Sequence, residues 1–312
     1  MSQRTGRLIL FLVLAAISVA YLRNNLVTPH TAARMRFISD VLSNQSEPPY
    51  RYRLLVPFLE DNIANLYPSS SIKSQHLFGF TAIFFPVFFL IYYLFHQLLR
   101  LYFTENSSLL GVLLLAVVIP VSVTGYFMEG DFLTLLLFIL GFWCFHKEKD
   151  WAIPLIILLG TFNREQMLFL LVLYILYKAS INQLRDKKTV LTAVTSLLAW
   201  GAVFLGLRFI LGLMPSRFTV LHHLESNLNW DNFINRIIAI WLPAVFGFVV
   251  LAIASWKKTN RFFKLAFVSL GIYLLLFLLK GLLWELAKFL PAYLVLIPMA
   301  LETITGEHTG KT

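Results

Sequence analysis

The chain has a single cysteine, Cys144, and it falls within an apolar run. That excludes an intrachain disulfide and a thiolate metal cluster. Charge is scarce too. Only 13% of the 312 residues are charged, with 16 acids against 26 Lys and Arg. There is no Gly-rich phosphate loop following a strand and no H-E-x-x-H motif, so a P-loop enzyme and a zincin are both excluded. No internal repeat stands out. No segment is polar enough for a disordered arm, and we expect no appended soluble catalytic domain.

What the sequence does hold is apolar surface: 58% hydrophobic residues, 29 Phe and a mean hydropathy of +0.74. A water-soluble core cannot hide that much, and the apolar residues recur in long runs. The sequence therefore predicts an all-α, polytopic integral membrane protein forming one membrane domain. The net charge of +10 does not mark a nucleic-acid binder. The cations lie between the apolar runs, where they act as topology signals.

Arg4 and Arg7 precede the first run and hold the N-terminus in the cytoplasm. "AISVA" resembles a signal-peptide cleavage region, but the many later spans favour an uncleaved first span. Residues 24–75 are too charged to span and read as an outer-face amphipathic region with short helices. Spans are expected near 76–98, 108–125, 131–146, 190–212, 236–255, 265–283 and 289–302. Basic "HKEKD" (146–150) and "RDKK" (185–188) flank two short apolar pieces. Two cytoplasmic flanks require a short hairpin there, with "NREQ" (163–166) at its tip. Residues 213–235 form an outer loop. The expected total is about ten membrane segments with both termini cytoplasmic. Lys280 and Lys288 break the charge pattern by facing outward.

Charge inside a membrane is costly unless paired or wet. Arg164 and Glu165 are adjacent and point about 100° apart on a helix, so each needs a partner elsewhere. Asn163 and Arg164 could simply cap carbonyls at the tip. Glu129 and Asp131 mark the next outer turn, where Asp131 suits a helix N-cap. Asp40, Arg51, Arg53 and Arg208 fall on the same face. Arg51 and Arg53 alternate just before Pro57, and Arg208 can snorkel or meet an anionic headgroup. Glu285 and Lys288 are three apart on one helical face. Adjacent His222 and His223 are weak evidence for a metal. Carboxylates and guanidiniums gathered on one face suit a substrate with a phosphate leaving group and a hydroxyl acceptor.

Four short motifs carry a resemblance over most of the chain. They are Arg51-Tyr52-Arg53-Leu54-Leu55-Val56-Pro57, the turn Tyr126-Phe127-Met128-Glu129-Gly130-Asp131, Asn163-Arg164-Glu165-Gln166, and Glu285 to Lys288 before Pro291. With these, the chain resembles bacterial multi-pass membrane proteins related to the C-type superfamily of membrane glycosyltransferases. It departs from their pattern at Gln166 (Thr there) and at Lys288 (Arg there). Lys keeps the charge and loses the bidentate fork. The resemblance implies a polyprenyl-phosphate-linked sugar donor, transfer at the outer face of a bacterial inner membrane, and an envelope glycan, lipid or protein as acceptor. It makes Asp40 the positional match to the catalytic acid, with Asp131 and Glu165 as alternatives. Arg51, Arg53, Asn163, Arg164, Arg208, Glu285 and Lys288 become candidate substrate-binding residues. It leaves dependence on a divalent metal open. Membrane lipids are expected neighbours and nucleic acid is not. A transporter or flippase of a lipid-linked or anionic solute and a non-catalytic assembly protein are the other classes the sequence allows.

Overall fold

The computed structural model describes residues 3–69, 71–216 and 218–307, and every regular element in them is helical. The helices are α1 (Gln3–Leu22), α2 (Thr31–Leu42), α3 (Leu55–Asn65), α4 (Ile72–Leu99), α5 (Glu105–Ser122), α6 (Gly130–His146), α7 (Ala152–Thr161), α8 (Leu168–Ser180), α9 (Lys187–Leu211), α10 (Val220–Leu228), α11 (Trp230–Ser255), α12 (Arg261–Lys280) and α13 (Tyr293–Thr305). A 3-10 segment, Leu286–Ala292, leads into α13.

Among the described residues, eight helical stretches are long and apolar enough to cross a membrane. The chain is an all-α, polytopic membrane protein. Helix is the physical consequence of the long apolar runs: in hydrocarbon each backbone N–H and C=O must find its partner within its own segment. α4 shows the scale. Its 28 residues reach about 42 Å at ~1.5 Å per residue, more than the ~30 Å hydrocarbon core. Prolines inside the spans are absorbed as the same rule allows. Pro86, Pro120 and Pro298 lie inside helices, and Pro243 lies in a π-helical turn of α11.

Burial separates centre from rim. In α6 and in Leu286–Thr305, 72% and 83% of the most apolar window is buried; in α9 and α11 the share is 22% each. The first two form the middle of the bundle. α9 turns Leu198, Leu205, Phe209 and Ile210 outward, as a lipid-facing helix does.

α7 and α8 are short, 10 and 13 residues, or about 15 and 20 Å. They pack against each other and against α9. Their feet are tied by Asp150, which pairs with Lys178 at 3.0 Å and Lys188 at 3.5 Å. Their other ends meet at the tip 162–167, close to the start of α6. α2 and α3 are the two short helices expected in the 24–75 region, and both pack on α4. The expected outer loop 213–235 is more ordered than a loop: α10 forms within it, N-capped by the Thr219 hydroxyl, which accepts from the His222 N–H.

Candidate functional site

The tip of the α7–α8 hairpin is pinned by its own polar residues. Asn163 donates its side-chain amide to the Gly130 carbonyl at 2.7 Å and to the Thr134 hydroxyl at 2.9 Å. This locks the tip to the first turn of α6. The approach is tight: a Cβ at Gly130 would stand 2.8 Å from Asn163 Oδ1. Gly130→Ala is expected to push Asn163 off both acceptors and cost about 1–3 kcal/mol by overpacking. Thermal unfolding in detergent measures it, and an unchanged melting point would show that the tip is free to shift.

Arg164 and Glu165 part company, as their adjacency requires. Arg164 donates to Asp131 at 2.8 Å, with both side chains buried. Glu165 accepts from the Arg53 fork at 2.9 and 3.3 Å. Asp131 therefore does not cap α6. It sits in the first turn, no side chain caps that helix, and its carboxylate serves Arg164 instead. Trp200 of α9 donates its indole N–H to the Glu165 carbonyl at 3.0 Å and fixes the backbone there. Glu285 and Lys288 are ion-paired across one 3-10 turn. Lys288 lies within electrostatic reach of Asp131, Arg53 and Arg164. Tyr273 donates its hydroxyl to the Lys288 carbonyl at 2.9 Å.

So Arg53, Asp131, Asn163, Arg164, Glu165, Glu285 and Lys288 form one constellation at one end of the bundle. Arg208 borders it, within electrostatic reach of Glu165 and Arg53, while Arg51 and Asp40 sit elsewhere. Arg51 caps α9: its guanidinium donates to the Leu211 carbonyl at 2.5 and 3.1 Å, satisfying a helix-terminal acceptor. Arg208 lies over the faces of Phe204 and Tyr52, 3.5 and 4.4 Å from the ring centroids, a cation–π seat. Asp40 is half-buried near the end of α2 and does not line the cleft described next.

Two residues that the sequence reading passed over complete the site. Arg34, 1% exposed, sends Nε and Nη2 to the Glu129 carboxylate at 2.6 and 2.9 Å and is also ion-paired with Glu60. One guanidinium thus faces two buried carboxylates. Burial pushes the Glu60 carboxyl well above the usual carboxylate range, Arg34 opposes the rise, and Glu129 adds to it. Because the folded value is raised, the wild type loses stability as pH climbs from the unfolded value of about 4.3 toward the folded one. Glu60→Gln mimics the protonated acid. It is expected to remove that slope and to match wild-type stability at pH 5 within about 1 kcal/mol. Unfolding curves across pH check this; an unchanged slope would clear Glu60 of the proton.

The Arg34 cluster, Arg53, Arg164, Asn163 and Gly130 line a narrow cleft of about 30 Å³, partly open to solvent. Tyr50, Phe37, Tyr126 and Phe127 form its aromatic side. Arg34 Nη1 and Arg164 Nε are buried there without a hydrogen-bond partner. Among the described residues no group of three or more His, Cys, Asp or Glu side chains is placed to hold a metal ion.

Family models, curated proteins and solved structures were all compared with this chain. None matches.

Proposed function

We propose that the chain is a membrane glycosyltransferase that takes a sugar from a polyprenyl-phosphate carrier at the outer face of a bacterial inner membrane and gives it to an envelope glycan, lipid or protein. The observation that carries this reading is the pairing pattern at one end of the bundle. Arg53 with Glu165 and Arg164 with Asp131 join separate segments, the local Lys288–Glu285 pair lies within electrostatic reach, and Arg53 and Arg164 line a cleft.

Transfer needs the acceptor hydroxyl oxygen to attack the anomeric carbon. The bond from that carbon to the phosphate oxygen breaks, and the carrier phosphate leaves with the electron pair. Arg53, Arg164 and Lys288 are the groups to steady that phosphate. The acceptor proton goes to a carboxylate. Of the acids in the constellation, Glu165 is the accessible one: its side chain is 35% exposed, against 0% for Asp131 and 7% for Glu285. In the resting protein the Arg53 fork occupies Glu165. A phosphate that draws Arg53 to itself frees the carboxylate to accept a proton, which couples donor binding to base activation. Neither Glu165 nor Asp40, the match by resemblance, lines the cleft, and the Arg53 contact, which a donor phosphate would break, favours Glu165 as the base.

The test is mass spectrometry of envelope glycans and polyprenyl-linked sugars from host cells lacking the gene. The strain is complemented with wild type, Glu165→Gln or Asp40→Asn at matched membrane abundance. The expected result is loss of one sugar increment with build-up of its carrier-linked donor, rescued by wild type and by Asp40→Asn but not by Glu165→Gln. Unchanged glycans and donor pools on deletion would end the transferase reading.

A further inference from the structure

A much larger cavity lies away from the charged constellation. α11 packs along α13, whereas α12 packs chiefly on α8 and α10. Between α11 and α12, with α13 as its floor, is a groove of about 360 Å³, within the ~300–1,000 Å³ range of small-ligand sites. Its walls include Val245 and Val249 of α11, Val268, Gly271 and Leu274 of α12 and Leu296 of α13. Val268, Gly271 and Leu274 are exposed, and a Cβ at Gly271 would meet no atom within 4 Å. The groove therefore opens sideways, on the face that a span turns to lipid.

Every residue lining it is apolar or aromatic. The polar atoms of three of its rings are already engaged. The Trp241 indole N–H donates to the Leu283 carbonyl at 2.7 Å, the Tyr273 hydroxyl to the Lys288 carbonyl at 2.9 Å and the Tyr293 hydroxyl to the Ala244 carbonyl at 3.1 Å. Such walls offer dispersion contacts. They suit a hydrocarbon chain and not a sugar, a nucleotide or an ion.

The two ends of the groove differ. Toward the constellation, Trp241, Tyr273, Phe277 and Phe289 pack ring on ring with centroids 4.9 to 5.7 Å apart. That end is closed. At the opposite end there is one edge contact, Trp256 on Phe267 at 5.9 Å, and Trp256 is exposed. Directly beyond it the chain reads "KKTNRFFK" (257–264), four cations and no acid. Lys257, Lys258 and Arg261 are exposed, and Lys264 is half-buried. Lys264 stands one helical turn before Val268, on the same stripe of α12. From Lys264 to Leu274 is about 15 Å at ~1.5 Å per residue, half of the ~30 Å hydrocarbon core. A chain hung from a headgroup at this turn fills the groove without leaving its own leaflet.

We infer that the groove binds one anionic phospholipid of the cytoplasmic leaflet, with an acyl chain between α11 and α12 and the phosphate headgroup on Lys257, Lys258 and Lys264. Cations at this density mark a cytoplasmic turn, and basic pockets between spans on that side hold anionic headgroups. The site does not depend on the transferase reading. The ring cluster stands between the groove and the constellation, so a carrier lipid presented to Arg53 and Arg164 does not share it.

The experiment is native mass spectrometry of the full chain, delipidated in mild detergent and equilibrated with equal amounts of phosphatidylglycerol and phosphatidylcholine bearing the same acyl chains. The expected result is one retained phosphatidylglycerol, favoured over phosphatidylcholine at least about fivefold, the worth of one lysine beside an anionic headgroup. The triple variant Lys257→Gln/Lys258→Gln/Lys264→Gln abolishes that preference. Gly271→Phe and, separately, Val268→Trp put a ring into the groove and lose the adduct. Arg185→Gln/Lys187→Gln, in the other basic turn at this end of the bundle, keeps it. Each variant is compared at wild-type melting behaviour. Equal retention of the two lipids, an unchanged adduct in the triple variant or in both filling variants, or the same loss in the Arg185/Lys187 control would each overturn the inference. Displacement of phosphatidylglycerol by an equal amount of polyprenyl phosphate would overturn it too, and would give the groove to the carrier.

Discussion

Asp131→Asn is expected to destabilise the detergent-solubilised protein by about 3–5 kcal/mol, the cost of stranding a buried charge. Asp131 is 0% exposed and its partner Arg164 is 2% exposed. Without the carboxylate, the Arg164 guanidinium keeps a contact of 3.4 Å to the Phe127 carbonyl, too long to replace a charge-assisted bond. The cation can neither leave, since Asn163 fixes the tip, nor lose its proton. Adding Arg164→Gln should return part of the loss, with a coupling energy of roughly 0.5–3 kcal/mol in the double-mutant cycle. Reversible unfolding in mixed micelles provides the numbers. A loss below about 1 kcal/mol for Asp131→Asn, the range of exposed pairs, would mean that water reaches the pair.

The second large effect falls on activity. If Glu165 takes the acceptor proton, Glu165→Gln should lower transfer by about 10²–10⁴-fold. Its stability should change little, because the Glu165 side chain is 35% exposed and the pair is partly screened. The two substitutions thus predict opposite profiles: Asp131→Asn unstable, Glu165→Gln stable but inactive. Single-turnover transfer by purified protein, with unfolding curves on the same preparations, distinguishes them. Full activity in Glu165→Gln alongside loss in Asp40→Asn would hand the role to Asp40.

The membrane character and the α-helical class were legible in composition, because apolar runs of that length admit no other solution. Span positions were legible to within a few residues at most ends, though α11 starts earlier, at Trp230, than the 236 read from hydropathy. Adjacency of Arg164 and Glu165 correctly demanded two separate partners. Which partners was hidden, because Asp131 and Arg53 lie 33 and 112 positions away from them and only the fold brings them near. Arg51 and Arg208 read as snorkelling or headgroup-facing cations; in the fold one caps a helix and the other rests on rings, and sequence shows a charge but not the carbonyl or ring beside it. Arg34 and Glu60 were missed although a signal existed. Arg34 shares the buried face of α2 with Ile38 and Val41, and Glu60 shares that of α3 with Val56, Pro57 and Ala64. A charge on the apolar stripe of a short amphipathic helix has to meet another one, and that periodicity was available.

The order in which these partners leave the ribosome matters for assembly. Arg34 emerges before both of its carboxylates, so Glu60 and then Glu129 find a cation already waiting. The other pairs run the opposite way or span longer delays. Asp131 precedes Arg164 by 33 residues, about 2–7 s at roughly 5–20 residues per second. During that interval α6, the future centre of the bundle, carries an acid without its hydrogen-bonding cation. Arg53 waits longer still, 112 residues, for Glu165. The α7–α8 hairpin is thus the keystone of biosynthesis. Until its tip arrives, Arg53 and Asp131 lack the hydrogen-bonding partners they have in the finished fold, with only each other's charge within reach.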